Sequence, residues 1–309
     1  MASIVNATNN ASFIPTIVAQ KALGRLASYM NLAKTVSRDF DFATASYGQV
    51  IKVPKRGSLS ANAKTTGTAV TLQTPTATDT SVTLDQHFEV SFQIADVTKL
   101  FSNQDTMEGY ATDAAIALAE KIETYIAGLH TSIANTITWD RTSTATKVSS
   151  LLKLRQRMVA NNIPRLETKY LYVDPTVMND LLSESQFTTA QNMGSAQNQI
   201  EGNMGATQSL KLYGFEIFES QNVQTTSSPV CYHNLAYTRD AFCMAFRPLP
   251  TDGNGIGAQQ VVVNNPDVGV GLRTTMSYDP NQLGVQLTLD VLFGASLLDT
   301  RRVVELESF

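Results

Sequence analysis

Histidine and cysteine, the residue types that most often carry metal-binding or acid–base chemistry, are scarce in this sequence. The chain of 309 residues has three histidines, His87, His130 and His233, which lie far apart, and two cysteines, Cys231 and Cys243. Cys231 and His233 fall on one face of a predicted strand, and Cys243 follows ten residues after His233. A zinc site needs three or four converging ligands, and no fourth cysteine or histidine lies nearby. We therefore interpret both cysteines as buried, reduced thiols and predict no metal site and no cofactor.

The other candidates for catalytic chemistry lack the context that this chemistry requires. A glycine run at residues 253–257 has the spacing of a phosphate-binding loop, but such a loop opens a helix, whereas here a strand follows. Glu120 and Glu123 flank Lys121 on a predicted helix with the pattern of a solvated face, and an acid–base pair would need a pocket that separates their pKa values. The sequence has no Gly-x-Ser-x-Gly and no Gly-Lys-Ser/Thr motif. We predict no enzymatic site.

Composition excludes several further classes of protein. Hydrophobic residues make up 43% of the chain, enough to bury a core, and charged residues only 16%. The net charge of -4 excludes a generally basic nucleic-acid binder, because phosphate neutralisation needs clustered lysine and arginine. No apolar run approaches the roughly 20 residues that cross a bilayer. The first residues lack the pattern of a signal peptide, so we expect the protein to stay in the cell that makes it.

Two segments have too few apolar residues to form a core of their own. Residues 1–40 combine a polar tip with one short amphipathic helix, which predicts an arm. Strands predicted at 47–54 and 82–94 enclose residues 55–79, in which only Leu59, Val70 and Leu72 are sizeable apolar residues. A connection of this length without a core is usually functional or ordered by something else. We therefore predict a long projection that folds on a neighbouring molecule.

Four basic residues, Lys52, Lys55, Arg56 and Lys64, lie in or beside this projection, and few acidic residues accompany them before Asp79. They could serve solubility alone. They could equally dock onto an acidic patch of another subunit, and the sequence leaves both interpretations open.

The rest of the sequence predicts an α+β protein. Apolar residues at three- and four-residue spacing predict a long helix over 105–135, which Asp105 could cap. Helices are also predicted at 147–161 and 174–185, and a helix or turn at 240–246. A surface loop is predicted at 186–209. Alternating or β-branched patterns predict strands at 169–173, 212–218, 230–237 and 260–263, a hairpin over 269–293 and a last strand at 303–306.

The order of these parts and several local phrases resemble the major capsid proteins of tailed bacteriophages, which have the Hong Kong 97-type fold. The phrase from Phe13 and Ile14 to Gln20, followed by residues 38–40, is similar to the N-terminal arm of that family. Residues 48–54, 82–85 and 90–96 are similar to the extended loop of the family. Residues 213–220 and 237–242 are similar to its axial domain, and residues 293–294 and 303–306 to its closing strands.

The resemblance implies a division of the chain into five parts. These are an N-terminal arm at 1–40, an extended loop with its base strands at 41–95, a peripheral domain with a spine helix at 96–165, an axial domain at 166–268, and return strands of the peripheral domain at 269–309. Each extended loop would lie over a neighbouring subunit. Phe13, Ile14, Lys52, Lys55, Arg56 and Lys64 are the expected inter-subunit contacts.

The resemblance also implies a function and partners. Copies would gather as hexamers and pentamers of an icosahedral head around double-stranded DNA, held without sequence-specific binding and without a membrane. A separate scaffolding protein, a portal and a decoration protein would be the other partners, and assembly would take place in the cytoplasm of a bacterial host. Two alternatives stay open at this point: an encapsulin-like shell that encloses a cargo enzyme, and a soluble enzyme whose site is assembled from distant residues.

Overall fold

A computed structural model describes most of the chain. The described residues are 13–38, 50–55, 59–76, 78–96, 105–139, 147–164, 167–183, 210–251, 258–265 and 270–309. The predicted loop at 186–209 and the glycine run at 253–257 lie outside these ranges, and so do the first residues of the strand predicted at 47–54. No helix of the described residues has the length and apolar character to span a membrane.

Five α-helices and fourteen strands are found in the described residues. The helices are α1 Phe13–Tyr29, α2 Leu32–Thr35, α3 Asp105–Ala127, α4 Lys147–Ala160 and α5 Pro175–Ser183. The strands are β1 Val50–Lys55, β2 Thr78–Thr83, β3 Gln86–Ala95, β4 Thr136–Trp139, β5 Lys169–Val173, β6 Leu210–Leu212, β7 Phe215–Glu219, β8 Gln224–Ser227, β9 Val230–Thr238, β10 Phe242–Phe246, β11 Ala258–Asn265, β12 Val270–Asp279, β13 Gly284–Leu297 and β14 Val303–Ser308. Short 3-10 turns lie at Gly128–Ser132, Arg239–Ala241 and Thr300–Arg302.

The strands form two larger sheets and one hairpin. The five-stranded sheet has the order β10-β13-β12-β11, with β3 also paired to β13, and all its pairs are antiparallel. The seven-stranded sheet has the order β4-β14-β9-β5-β7-β6, with β8 paired to β9, and is mixed, because β14–β4 and β5–β7 are parallel. Strands β1 and β2 form a separate antiparallel hairpin. The predicted α+β class is therefore confirmed.

The long helix α3 is the centre of the largest core. Leu118, Ile122 and Ile126 are almost completely buried, because the apolar stripe predicted from the sequence faces the five-stranded sheet. The helix ends at Ala127, eight residues before the predicted end, and continues as the 3-10 turn. The seven-stranded sheet contributes to the largest core with one face. Its other face packs against α4 and α5, whose buried Leu151, Leu154 and Leu181 belong to a second core.

Helix α1 belongs to the largest core as well. The sequence predicts an arm over residues 1–40, whereas the described part of this segment packs against α3, β11 and β12. Val18, Leu26 and Met30 are at most 3% exposed. The predicted amphipathic helix is present, but its apolar face packs against α3 of the same chain. Residues 16–36 therefore do not form a free arm.

Two predicted strands and one predicted helix or turn differ from the elements in the structure. The segment predicted as one strand at 212–218 is the hairpin β6–β7, turned by Tyr213 and Gly214, both with positive φ (48° and 87°). The segment predicted as one strand from 82 to 94 is divided between β2 and β3, which pair with different partners. The helix or turn predicted at 240–246 is a 3-10 turn followed by β10.

Glu123 contradicts the predicted solvated face of α3. Glu120 and Lys121 are exposed, but the side chain of Glu123 is buried. Its carboxylate accepts hydrogen bonds from the backbone N–H groups of Leu32 (3.0 Å) and Ala33 (2.9 Å). It thereby caps the N-terminus of α2, where the residue Asn31 supplies no side-chain cap of its own. Burial raises the pKa of Glu123 to about 7, although these hydrogen bonds favour the ionised form.

This raised pKa predicts a pH-dependent stability. Because the pKa of the folded state is above the ordinary value of 4.5, the contribution of Glu123 is fully present below pH 4.5 and is lost as the pH rises through 7. The loss approaches about 3 kcal/mol, since one pKa unit corresponds to about 1.4 kcal/mol. Glu123→Gln loses one cap hydrogen bond but cannot ionise, so its melting temperature relative to wild type should rise between pH 5 and pH 8.

Thermal melting of the isolated subunit at both pH values measures this difference. Glu120→Gln, an exposed change on the same helix, is the control and should track the wild type at both. If the difference in melting temperature between Glu123→Gln and wild type does not change with pH, the prediction that Glu123 titrates in its buried position is wrong.

Candidate assembly surface

The segment joining β1 to β2 is the most exposed part of the described chain. Residues 59–76 contain no helix or strand, and every one of them is exposed. Leu59, Val70 and Leu72 are 68%, 76% and 93% exposed. Single exposed apolar residues are common, but three on one segment that touches no core are typical of a surface that binds another molecule.

The segment, which we call the extended loop (residues 59–76), has some internal order. The side chain of Gln73 bridges its two halves: its Oε1 accepts from the Ser60 N–H (2.9 Å) and its Nε2 donates to the Ser60 carbonyl (2.5 Å). At the far end, the Lys64 ammonium donates to the Thr68 carbonyl. These bonds hold the two halves side by side without burying any apolar side chain.

The base of the extended loop, in contrast, is firmly attached. Along β1, Ile51 and Val53 face inward while Val50, Lys52 and Pro54 face solvent, as expected of a strand with one covered face. Ile51, Val53, Val82 and Leu84 form a third, small core with Cys243 and Ala245 of β10. The base is thus fixed by apolar packing against the five-stranded sheet, and the loop extends beyond it.

Gly294 of β13 permits this attachment. A Cβ atom built on Gly294 would lie 2.0 Å from the carbonyl oxygen of Thr83 and 3.2 Å from the Cα of Leu84. Because these are backbone atoms, they cannot move aside by changing a rotamer. The close approach of the loop base to β13 therefore requires glycine at this position.

An ion-pair network also fixes the base. The Lys55 ammonium, at the end of β1, lies 2.9 Å from Asp299, which also binds the Arg301 guanidinium at 3.1 Å. Burial alone would raise the pKa of Asp299, but hydrogen bonds from Arg301 and Lys55 lower it to about 2. The carboxylate is therefore ionised at neutral pH, and it links β1 to the turn that precedes β14.

The predicted contact residues are placed differently by the structure. Lys52, in β1, and Lys64, in the extended loop, are both exposed, so a neighbour could reach them. Lys55 is used within its own chain, in the pair with Asp299. Arg56 lies outside the described residues. Phe13 and Ile14 begin α1, but their side chains lie outside the described part of the chain.

The predicted cysteine and histidine environment is confirmed in part. Cys231 and Cys243 are buried and form no disulfide, as predicted, and Cys243 lies in the small core below the extended loop, away from β9. His233, however, contacts two residues that lie far from it in the sequence. Its Nδ1 lies 2.6 Å from Glu305, and its ring stacks on His130 with centroids 4.2 Å apart. Distance along the sequence, which suggested that the histidines were isolated, did not reflect distance in space.

The comparison with protein families identifies the class of this protein. The profile of the phage capsid protein family matches residues 77–306. The chain therefore belongs to the phage capsid protein family. No curated protein sequence matches it at a significant level.

Solved structures agree with this family. The chain resembles a structure from Mycobacterium phage Che8 with a TM-score of 0.64 at 17% identity, covering 91% of this chain and 90% of that one. It resembles the capsid of cyanophage P-SCSP1u with a TM-score of 0.60 at 16% identity, covering 89% and 86%. A virus-like particle from Pyrococcus furiosus is similar with a TM-score of 0.51 at 11% identity, covering 94% and 97%.

Two predictions are confirmed by these comparisons. The structural likeness confirms the Hong Kong 97-type fold, and the family match confirms the role of a phage major capsid protein. The division into five domains with the predicted bounds stays a prediction.

Proposed function

We propose that copies of this chain assemble into the hexamers and pentamers of an icosahedral phage head that encloses double-stranded DNA. The observation that carries the proposal is the contrast within the loop hairpin, whose base is packed and ion-paired while residues 59–76 are exposed throughout. Full burial of a leucine or valine side chain contributes about 1.5–3 kcal/mol, so Leu59, Val70 and Leu72 can stabilise a contact with a neighbour. Repeated by symmetry, such contacts hold a shell together.

In this proposal the extended loop lies over a neighbouring subunit. Lys64 and Lys52, both exposed, would face acidic side chains there, whereas Lys55 fixes the base and contributes indirectly. We also propose that Arg56, Phe13 and Ile14 contact neighbouring copies, as the family resemblance implies. A charge of -4 suits loose containment of DNA, since tight binding needs clustered cations.

The wider setting follows from membership of the family. A phage capsid protein is a component of the virion, and such proteins are structural. We propose that the chain has no catalytic activity and that assembly takes place in the cytoplasm of the bacterial host. A scaffolding protein, a portal and a decoration protein are the proposed partners.

Electron microscopy and light scattering of the purified protein test the proposal. We expect megadalton shells, or capsomers that convert into shells. A stable monomer or small oligomer under all assembly conditions would contradict it and would favour the soluble enzyme.

A compartment that encloses cargo is the second candidate, because the virus-like particle from Pyrococcus furiosus has a similar fold. The nucleic-acid content of particles from infected cells separates the two. Double-stranded DNA inside the particles supports the phage head, and a co-purifying enzyme without DNA supports the compartment.

A further inference from the structure

We propose that His130, His233 and Glu305 form a binding site for a transition-metal ion of the zinc class. The three side chains each offer one ligand atom, and these atoms all lie within 4.8 Å of one another. They come from three elements: the 3-10 turn after α3, strand β9 and strand β14. Within the described residues this is the one group of three or more metal-ligating side chains that converges.

One nitrogen of each imidazole is hydrogen-bonded to a neighbouring group, which leaves the Nε2 of His130 and the Nδ1 of His233 to bind an ion. The Nδ1 of His130 lies 3.2 Å from the Ala127 carbonyl, which can accept its proton and leaves Nε2 free. The Nε2 of His233 lies 3.3 Å from the Thr226 hydroxyl, and Nδ1 points at Glu305. Metal-binding histidines commonly donate their second N–H to such an acceptor, because this fixes the tautomer and the orientation of the ring.

The ion would take the place of the proton between His233 and Glu305. These two groups are 2.6 Å apart, whereas two ligands of a tetrahedral zinc ion are about 3.3 Å apart at the usual bond lengths. The His130 ring, now stacked on His233 at an interplanar angle of 21°, must turn so that Nε2 meets the ion. His130 is only partly buried, and none of the residues of its short turn is buried, so the ring is not enclosed by the core.

Charge and ligand type select the ion. Imidazole binds metal ions in its neutral form, which is the dominant form of an ordinary histidine at pH 8. Glu307, two residues along β14 and thus on the same face as Glu305, adds a second negative charge nearby. Two imidazoles and a carboxylate suit zinc, cobalt or nickel, whereas magnesium and calcium prefer oxygen ligands alone. A water molecule can complete the coordination.

Such an ion would join two parts of the fold. His130 follows the long helix α3, while β9 and β14 are adjacent strands of the seven-stranded sheet. A bound ion would fix the end of the helix to this sheet, independently of the extended loop. Failure of the site would therefore leave the proposed shell function intact.

The test uses the full-length protein, treated with chelator and then titrated with Zn²⁺ or Mg²⁺ at pH 8. Metal ligands must be deprotonated to bind, so this pH favours binding. We expect one zinc ion per chain by calorimetry and a rise in melting temperature of about 5 °C at a free zinc concentration of about 100 times Kd. Magnesium should have no effect. Co²⁺ should give the visible absorption of a tetrahedral site with nitrogen and oxygen ligands.

Three variants locate the ion. His130→Ala, which alters a partly exposed side chain, should weaken zinc binding about a hundredfold or more and should keep the circular dichroism of the wild type. Thr226→Val should weaken it about tenfold by loosening the His233 ring. His87→Ala removes the third histidine, which pairs with Asp290 elsewhere, and is the matched control. It should bind zinc like the wild type.

The cobalt spectrum of the wild-type protein does not depend on the folding of any variant. Absence of both stoichiometric zinc binding and a tetrahedral cobalt spectrum would overturn the proposal. Zinc binding that His130→Ala leaves unchanged would also overturn it, because the ion would then be bound elsewhere.

Discussion

Replacement of residues 56–77 by an Asn-Gly turn is expected to give a folded subunit that does not close into shells. Residues 59–76 contribute no side chain to any of the three cores, so their loss should cost the subunit little stability. Lys55 and Thr78 are paired across the hairpin, and Asn-Gly is a favoured two-residue connection between antiparallel strands. The base and its contacts are retained, and only the proposed inter-subunit contacts are removed.

Light scattering and electron microscopy measure the formation of closed shells, and thermal melting measures the stability of the subunit. We expect a melting temperature within a few degrees of wild type and no closed particles. A milder variant with Leu59, Val70 and Leu72 changed to serine should give at least tenfold fewer closed particles than the wild type. Its matched control changes Thr66, Thr71 and Thr74 of the same loop to serine and should assemble normally. Normal closed shells from the deletion would show that the loop is not an assembly element.

Gly294→Ala is expected to detach the base of the extended loop. The added methyl group would lie 2.0 Å from the Thr83 carbonyl oxygen, so either β13 or the end of β2 must move. Overpacking of this kind typically costs about 1–3 kcal/mol, and here the obstructing atoms are backbone, so we expect about 3 kcal/mol. This corresponds to a fall in melting temperature of about 6 °C. Misplacement of the loop should also reduce shell assembly strongly.

Thermal melting and limited proteolysis of the isolated subunit measure this effect. Cleavage near the strands of the base, which the wild type protects by packing, should become faster. Gly24→Ala is the control, because a Cβ atom at that exposed helical position has nothing within 4 Å. That change should be neutral or stabilise the subunit by up to about 1 kcal/mol. Equal melting temperatures for Gly294→Ala and wild type would mean that the close approach is not maintained in solution.

Features with a local pattern could be predicted from the sequence. The stripe of α3 has the period of a helix, and the alternation along β13 has the period of a strand, so both were recognisable without partners. The extended loop was predictable for the opposite reason, since residues 55–79 hold only three sizeable apolar residues and no internal core. In each case the residues of one short stretch were sufficient for the prediction.

The features that fix these elements to one another could not be predicted in this way. Glu123 has the helical position of a solvated residue, and only the arrival of Leu32 and Ala33, some 90 residues away, makes it a buried cap. Gly294 appears in the sequence as one glycine in a strand. His130, His233 and Glu305 are brought together by the pairing of β9 with β14 and by the end of α3. Their roles depend on tertiary contacts, which no local pattern encodes.

The attachment of the loop base has a mechanical consequence. In the proposed assembly, tension applied to the loop tip by a neighbouring subunit would pass through β1 and β2 to two separate contacts, the apolar cluster on β10 and the Asp299 carboxylate beside β14. Strand β10 belongs to one sheet and β14 to the other. In the proposed shell, such a load would be shared between the two sheets of the subunit.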